Sequence, residues 1–437
     1  MKRRSWLIMG LVLSCSVLHS EVLTLDSCLR AAQEHNADIA ASRLEVEKAQ
    51  EVKAAMFSKY FPQVSTHAIS YHALNPLISF GINDIQSDDA RRILQALYDL
   101  VKDGTDLSDQ ISLMRYGVGV GALAVQPIYM GGRIVNANKL AKVGIEAAEL
   151  QAEVSERDVL ENVESTYFLV LGLQEKEKTM TSALQLLDSL QKTVDVALKA
   201  GLVTQSDALQ IALKKNELQA KQLQLNNGIV LASQLLCLQI GIEQFDSLSL
   251  ESLNEPKESV SPFTRPEIRL LGLQVEAEQL RKKITLGEAL PQVTLGGAYY
   301  WGNIIKDDYN HNGLLFATAS IPLTQWWETS HKLRAHNIAI RQYELQRSDL
   351  SKKMSLEAQQ AYNQMIEAQA LLLSDSSALQ MAEENYRIAT LNYKAGINTL
   401  NDVLQANMLL LEAQNAITDR RISYLVARRR LMDIGGL

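Results

Sequence analysis

Apolar positions along this chain follow two different periods, and each period predicts a different kind of element. From Arg133 to Lys199 and from Glu328 to Lys394 they recur at coiled-coil spacing. Examples are Leu160, Val163, Tyr167 and Val170, then Leu184, Leu187, Val194 and Leu198. The spacing predicts two very long helices, each followed by a short glycine-containing turn and a returning helix, the first over Leu202–Ile240. At ~1.5 Å per residue, a helix over 133–199 would reach about 100 Å, longer than a compact domain of this size. The last helix carries two seams: Leu400, Leu404, Met408 and Leu411, then Ala406, Leu410, Ala413 and Ile417. Two seams imply neighbours on two sides, with Gln405, Asn407, Gln414 and Asn415 expected to stay hydrated between them. An ordinary multi-helix bundle would show the same periodicity, so the helices alone leave bundle and barrel wall open.

Strict alternation marks a second class of element. Val293, Leu295, Gly297, Tyr299 and Trp301 alternate with Thr294, Gly296, Ala298 and Tyr300. Leu315, Ala317, Ala319 and Ile321 alternate with Phe316, Thr318 and Ser320. In the first half, Val118, Val120, Ala122 and Ala124 alternate with glycine and leucine positions, and Ile69 and Tyr71 alternate with Ala68, Ser70 and His72. Each stretch has roughly the 9–11 residues of a tilted membrane strand, with aromatic residues near its ends. Four strands cannot close a barrel, and open sheet edges are not tolerated in lipid. Several copies are therefore expected to share one barrel. Two would supply eight strands and a side-chain-filled interior, whereas three would supply twelve and leave a channel.

The two halves are repeats. Pro127 and Pro322, Tyr167 and Tyr362, Lys199-Ala200-Gly201 and Lys394-Ala395-Gly396, Asp207 and Asp402, and Gly241 and Gly436 all stand 195 positions apart. Upstream, Phe61-Pro62-Gln63-Val64 matches Leu290-Pro291-Gln292-Val293 at a spacing of 229, which places an insertion at about 74–114 in the first repeat. The expected organisation is a leader at 1–20, repeat one at 21–241, a linker at 242–265 and repeat two at 266–437. Each repeat runs helix (Asp26–Tyr60; Pro266–Glu288), strand, loop, strand, long helix, return helix. The loop of the second repeat, at 302–313, is short. The insertion holds seven aspartates against Arg91, Arg92 and Lys102, and Ile93, Leu94, Leu97, Leu100 and Val101 predict a short amphipathic helix within it.

Composition narrows the class. A chain of 437 residues with a net charge of −7 has no basic surface for nucleic acid. Eight prolines leave room for long helices. Lys2, Arg3 and Arg4 followed by an apolar stretch to Leu18 read as an export leader. Lipoprotein processing at Cys15 is the alternative to ordinary cleavage. Beyond the leader no continuous apolar run reaches the ~20 residues of a membrane helix. Cys28 and Cys237 remain, expected as buried thiols rather than a bridge.

In this order and at this period, the motifs resemble those of the TolC-like outer-membrane efflux proteins. The resemblance is carried by Leu23–Ala32, by Phe61-Pro62-Gln63-Val64, and by the strand-to-helix junction Gln126-Pro127-Ile128-Tyr129-Met130-Gly131-Gly132-Arg133. The turn Tyr393–Leu404 and the terminal Leu431–Gly436 complete it. The resemblance implies a mainly α chain with a membrane β-barrel portion: a homotrimer with a twelve-stranded barrel in the outer membrane of a Gram-negative-type cell. Its long coiled-coil-like helices would form an α-barrel in the periplasm. Partners would be outer-membrane lipid, a periplasmic adaptor and an inner-membrane pump, and the function passive export in drug efflux or type I secretion. The shorter helices would stack end to end beside the long one and meet midway, with Leu25 and Gly241 both at that level.

The same resemblance places a periplasmic gate at the turns containing Gly201 and Gly396. Asp207 and Asp402 would ring it, six carboxylates per trimer favouring cations, and Tyr393 would bridge neighbouring helices. The competing account is that each aspartate sits in a first helical turn because the helix dipole favours it there. Asn398 and Gln405 stand where some members carry a latch arginine and another aspartate. No cofactor, metal or catalytic residue is expected: His331 and His336 lack metal-motif spacing and read as solvated, Arg428–Arg430 as a solvated or equatorial charge run, and Gly117, Gly119 and Gly121 lie inside a strand pattern. A periplasmic coiled-coil adaptor without a membrane barrel is the alternative function, but it leaves the alternating stretches without a role.

Overall fold

The structure, a computed structural model, describes residues 23–75, 78–81, 87–101, 110–113, 116–242, 250, 266–303 and 309–434. The expected leader with Cys15, most of the 242–265 linker and the terminal Gly-Gly lie outside the described residues. In chain order the elements are α1 (Leu25–His35), α2 (Ala37–Ser58), β1 (Gln63–His72), β2 (Ile78–Gly81), α3 (Asp88–Val101), β3 (Gln110–Leu113) and β4 (Tyr116–Met130). The long helix α4 (Arg133–Lys199), α5 (Gln205–Ile240), α6 (Pro266–Glu288), β5 (Gln292–Gly302), β6 (Asn310–Ser320), α7 (Gln325–Lys394) and α8 (Leu400–Asp433) follow. The chain divides into two compact units, each drawing on both halves of the sequence. One comprises residues 49–145 and 274–343, and the other 1–48, 146–273 and 344–437.

The first unit is built on an antiparallel sheet in the order β1-β4-β5-β6. Its register runs from Gln63 opposite Val125 to His72 opposite Tyr116, from Gly119 opposite Gly302 to Met130 opposite Gln292, and from Gln292 opposite Ser320 to Gly302 opposite Asn310. Strand β4 does not stop at Pro127 as expected; it continues to Met130. Pro127 has no N–H for the ladder, and the register slips by one between it and Tyr129, so the strand passes the proline through a bulge. Pro322, by contrast, lies in the connection after β6, and α7 begins three residues before the expected Glu328. At the other end Asn303 ties the sheet together: its N–H donates to the Val118 carbonyl (3.0 Å) and its Oδ1 accepts from the Val118 N–H (2.7 Å). The insertion holds the expected helix, α3, together with an unexpected antiparallel pair, β2 with β3.

The helical unit is organised by the seams read from the sequence. Val163, Tyr167 and Val170 are buried with Cys28, Ala32, Leu236 and Ile240. Leu187 and Val194 are buried with Ile211, Leu218, Leu400, Leu404 and Leu411. One expected continuous helix, Asp26–Tyr60, is two. Asn36 separates them, and its Oδ1 caps α2 by accepting from the Asp38 and Ile39 N–H groups (2.9 and 3.3 Å) while its Nδ2 donates to the Gln239 carbonyl (2.8 Å). The end of α5 therefore meets the α1–α2 break, and Leu25 packs against the buried cluster that holds Ile240. Gly241, at φ +75°, lies so close to His35 that a Cβ there would be 2.5 Å from the histidine Cβ. Asn407, expected to be hydrated, is buried. Helix α5 is apolar and long enough to pass as a membrane span by length and composition. The reason is that apolar residues occupy two of its faces, one row buried (Ile211, Leu218, Leu236) and another exposed (Leu209, Leu213, Leu223).

Candidate functional site

In the sheet unit, directly opposed residues share a face, so the register sorts the side chains. One face gathers Val64 of β1, Val118 and Val120 of β4, Leu295, Tyr299 and Trp301 of β5, and Leu315 of β6, all exposed. The opposite face carries Ser65, His67, Thr294, Asn312 and Thr318, with the glycines of β4. Ile69 and Tyr71 belong to this second face, because β1 turns its polar residues Thr66 and Ser70 toward the apolar side. Their presence there has a cause. The Tyr71 ring lies over Gly117, where a Cβ would come within 2.5 Å of it, and Phe316 lies over Gly296 in the same way (2.1 Å). Aromatic rings thus replace the side chains these glycines lack. Both outer strands, β1 and β6, are unpaired on their far edges among the described residues.

At the strand-to-helix junction Gly131 and Gly132 adopt φ of +61° and +76°. Gly131 is packed against the backbone of Gly287 on α6, so closely that a Cβ would sit 2.3 Å from the Gly287 carbonyl oxygen. The motif marked Gly131 in advance; its partner Gly287 had no signal except being a glycine inside a helical pattern.

In the helical unit the two inter-helix turns are built alike. Gly201 and Gly396, at φ +76° and +71°, close Schellman motifs. The N–H groups of Leu202 and Ile397 donate to the carbonyls of Ala197 and Asn392, each at 2.9 Å. Three residues after each glycine a threonine caps the next helix. Asp207 Oδ2 accepts from the N–H and hydroxyl of Thr204 (2.9 and 2.7 Å), and Asp402 Oδ2 from those of Thr399 (2.8 and 2.8 Å). Both aspartates are thus capping residues, as the competing account expected, yet neither is sealed: Asp402 is exposed and Asp207 half-exposed. The backbone N–H and the hydroxyl of Thr399 hold the Asp402 carboxyl below its ordinary range. Thr204 and Thr399 were readable in advance as a Thr-x-x-Asp capping box at the same 195-residue spacing.

The structure brings the two turns together. Tyr393 of one turn, like Leu198 and Val203 of the other, packs against the buried cluster that holds Leu400 and Leu404. Burial raises its phenol pKa, and the nearby negative charge of Asp207 raises it further. Tyr393 and Asp207 therefore share one locale, whereas no contact joins Asp207 to Asp402 within the chain among the described hydrogen bonds and ion pairs. His336 is not solvated as expected. Its Nδ1 lies 2.6 Å from Glu278 Oε1 and its Nε2 3.0 Å from the Thr285 hydroxyl, with Arg281 also bonded to Glu278 at 3.0 Å. Burial alone would raise the Glu278 carboxyl, but the bonds from His336 and Arg281 outweigh it and hold it low. Arg429 and Arg430 are likewise engaged, with Glu164 (3.2 Å) and Glu357 (3.5 Å).

Comparison with known proteins agrees with this architecture. The outer membrane efflux protein family matches residues 264–437. The pyoverdine export outer membrane protein OpmQ of Pseudomonas aeruginosa is 23% identical over 338 residues, covering 74% of this chain and 70% of that protein. Among solved structures, the Campylobacter jejuni CmeC outer membrane channel superposes with a TM-score of 0.78 at 15% identity, over 94% of this chain and 85% of that one. The outer membrane protein VceC of Vibrio cholerae does so with a TM-score of 0.72 at 17% identity, over 94% and 96%. Residues 264–437 thus match the outer membrane efflux protein family, and the chain as a whole shares the fold of these outer membrane channels.

Proposed function

We propose that this chain is one subunit of a homotrimeric exit duct in the outer membrane. In this reading it passively conducts solutes delivered by an inner-membrane pump and a periplasmic adaptor, in drug efflux or type I secretion. The observation that carries the reading is the four-stranded sheet, with two edges unpaired among the described residues and one exposed apolar face. Such a sheet has no stable place in water or in lipid by itself, since its edges need partners and its apolar face needs a membrane. Three copies joined β1 to β6 give a twelve-stranded wall with the Ser65–Thr318 face inward. An exposed apolar row on α7 (Ile366, Leu373, Met381, Ile388) supports a similar joining of the helices. At the turns, Asp207 and Asp402 from three copies would form the cation-favouring gate, with Tyr393 placed beside Asp207.

Cysteine cross-linking tests the assembly. In a background with Cys28→Ala and Cys237→Ala, one cysteine replaces Ser65, His67 or Ile69 and a second replaces Leu314, Phe316 or Thr318. Oxidation of membranes should give a covalent trimer for at least one pair. A monomer at every pair, recovered in the soluble periplasmic fraction, would remove the basis of the proposal.

A further inference from the structure

An open pocket of about 340 Å³ lies where the helix ends meet the polar face of the sheet. Met56, Val125, Ile134 and Ile284 give it an apolar floor, and Lys59 and Arg133 supply two cations. Among the described residues no acid lines it and neither cation forms an ion pair. The volume falls at the lower end of the ~300–1,000 Å³ of small-molecule sites.

The two repeats differ at this point in a way that isolates the cations. At the spacing of 229, Lys59 corresponds to Glu288; at the spacing of 195, Arg133 corresponds to Glu328 and Ala137 to Lys332. Repeat two therefore has two acids and a lysine, and they satisfy one another: Lys332 bonds Glu328 at 2.7 Å, and Glu288 adds to the negative field around it. Repeat one has reversed both charges and replaced the third group by Ala137, which lines the pocket. Two like charges beside an apolar floor leave an unmet demand for an anion. The junction also fixes Arg133 in position, because the Gly131–Gly287 contact holds the start of α4 against α6 and the Arg133 stem runs beside Gly287.

We propose that this pocket binds an anionic amphiphile, its phosphate or carboxylate head between Lys59 and Arg133 and its alkyl part on the floor of Met56, Val125, Ile134 and Ile284. A membrane phospholipid and a solute in transit share that chemistry. The assignment is independent of how copies assemble.

The test uses the full-length protein purified in a neutral maltoside detergent, with binding of octyl phosphate, octyl glucoside and inorganic phosphate followed by native mass spectrometry. Octyl phosphate should bind saturably, and the other two at least about tenfold more weakly, since each supplies only half of the recognition. Lys59→Gln and Arg133→Gln should each weaken octyl phosphate about tenfold, whereas Lys332→Gln should leave it unchanged. The Lys59 variant, at an exposed position past the end of α2, decides the matter if Arg133→Gln does not fold. Unchanged binding in Lys59→Gln, inorganic phosphate binding as tightly as octyl phosphate, or no saturable binding at all would overturn the proposal. Reconstitution then identifies the source. Phosphatidylglycerol co-extracted from vesicles by the wild type but not by Lys59→Gln assigns the site to lipid; octyl phosphate binding undiminished by phosphatidylglycerol assigns it to a solute.

Discussion

Asp402 plays two parts in the proposed gate, and a substitution that never touches it can separate them. Thr399→Ala removes one hydrogen bond that the hydroxyl accepts from the Asp402 N–H (3.3 Å) and one that it donates to Asp402 Oδ2 (2.8 Å); the bond from the Thr399 N–H to Oδ2 stays. Loss of such a cap costs about 1 kcal/mol. That corresponds to an opening equilibrium shifted ~fivefold. Hydrogen exchange at the amides of Leu400–Val403 should accelerate by that factor, with exchange in the Arg133–Lys199 helix unchanged. Asp402→Asn makes the complementary change, keeping acceptors at the cap but removing the charge. In single-channel recordings Thr399→Ala should therefore retain cation preference and Asp402→Asn should lose part of it. The pH dependence has a definite sign. The folded carboxyl is held below its ordinary value of 3.8, so the capping contribution is complete above that value and is lost as the pH falls beneath it. Unaltered exchange in Thr399→Ala, or equal loss of selectivity in both variants, would refute the separation of cap from charge.

Other substitutions probe the packing. Gly131→Ala should lower the melting temperature followed by circular dichroism more than Gly132→Ala. Both have positive φ, but only at Gly131 would the added Cβ strike backbone, 2.3 Å from the Gly287 oxygen. Burial pushes the Cys28 thiol up to about 11, so the native protein at pH 7.5 should leave it unlabelled by maleimide and the denatured protein should not. His336→Ala strips the buried Glu278 of its 2.6 Å partner and should cost about 1–3 kcal/mol in chemical denaturation. Because the folded Glu278 carboxyl is held low, that cost should be full above its ordinary value of 4.5 and shrink as the pH falls below it.

Much of this fold was legible because its elements are long and strictly periodic. Arg133–Lys199 and Pro266–Glu288 have the bounds the pattern predicted, and three of the four sheet strands show their apolar face in the alternation alone. What escaped were features that depend on a residue from another element. The helix break at Asn36 occurs inside a continuous helical pattern, since its cause is the carbonyl of Gln239, more than two hundred positions away. Strand β1 presents the same problem. Its most apolar residues, Ile69 and Tyr71, lie on the polar face, and Tyr71 is there to cover a glycine that belongs to β4. His336 had no local carboxylate in sequence and found one across the gap to α6.

The turns show how one residue pattern can serve two ends. Seen along the chain, Asp207 and Asp402 satisfy a purely local requirement, the unpaired amides of a new helix, and the threonine three residues earlier accounts for them fully. That local account leaves Tyr393 unexplained. A half-buried phenol beside Asp207 is not needed to cap α5, and its counterpart at the 195-residue spacing is Leu198, which fills the same apolar cluster with no hydroxyl at all. The repeats are thus equal in what shapes the turns and unequal in what faces across them. If the turns were only structural, Tyr393→Leu would restore the symmetry at no functional cost. In the gate reading it removes a polar side chain that α7 sets beside Asp207. Conductance of the closed state should then rise in Tyr393→Leu while the exchange protection of both turns is preserved. A closed-state conductance equal to that of the wild type would leave the tyrosine as packing and the gate without its second component.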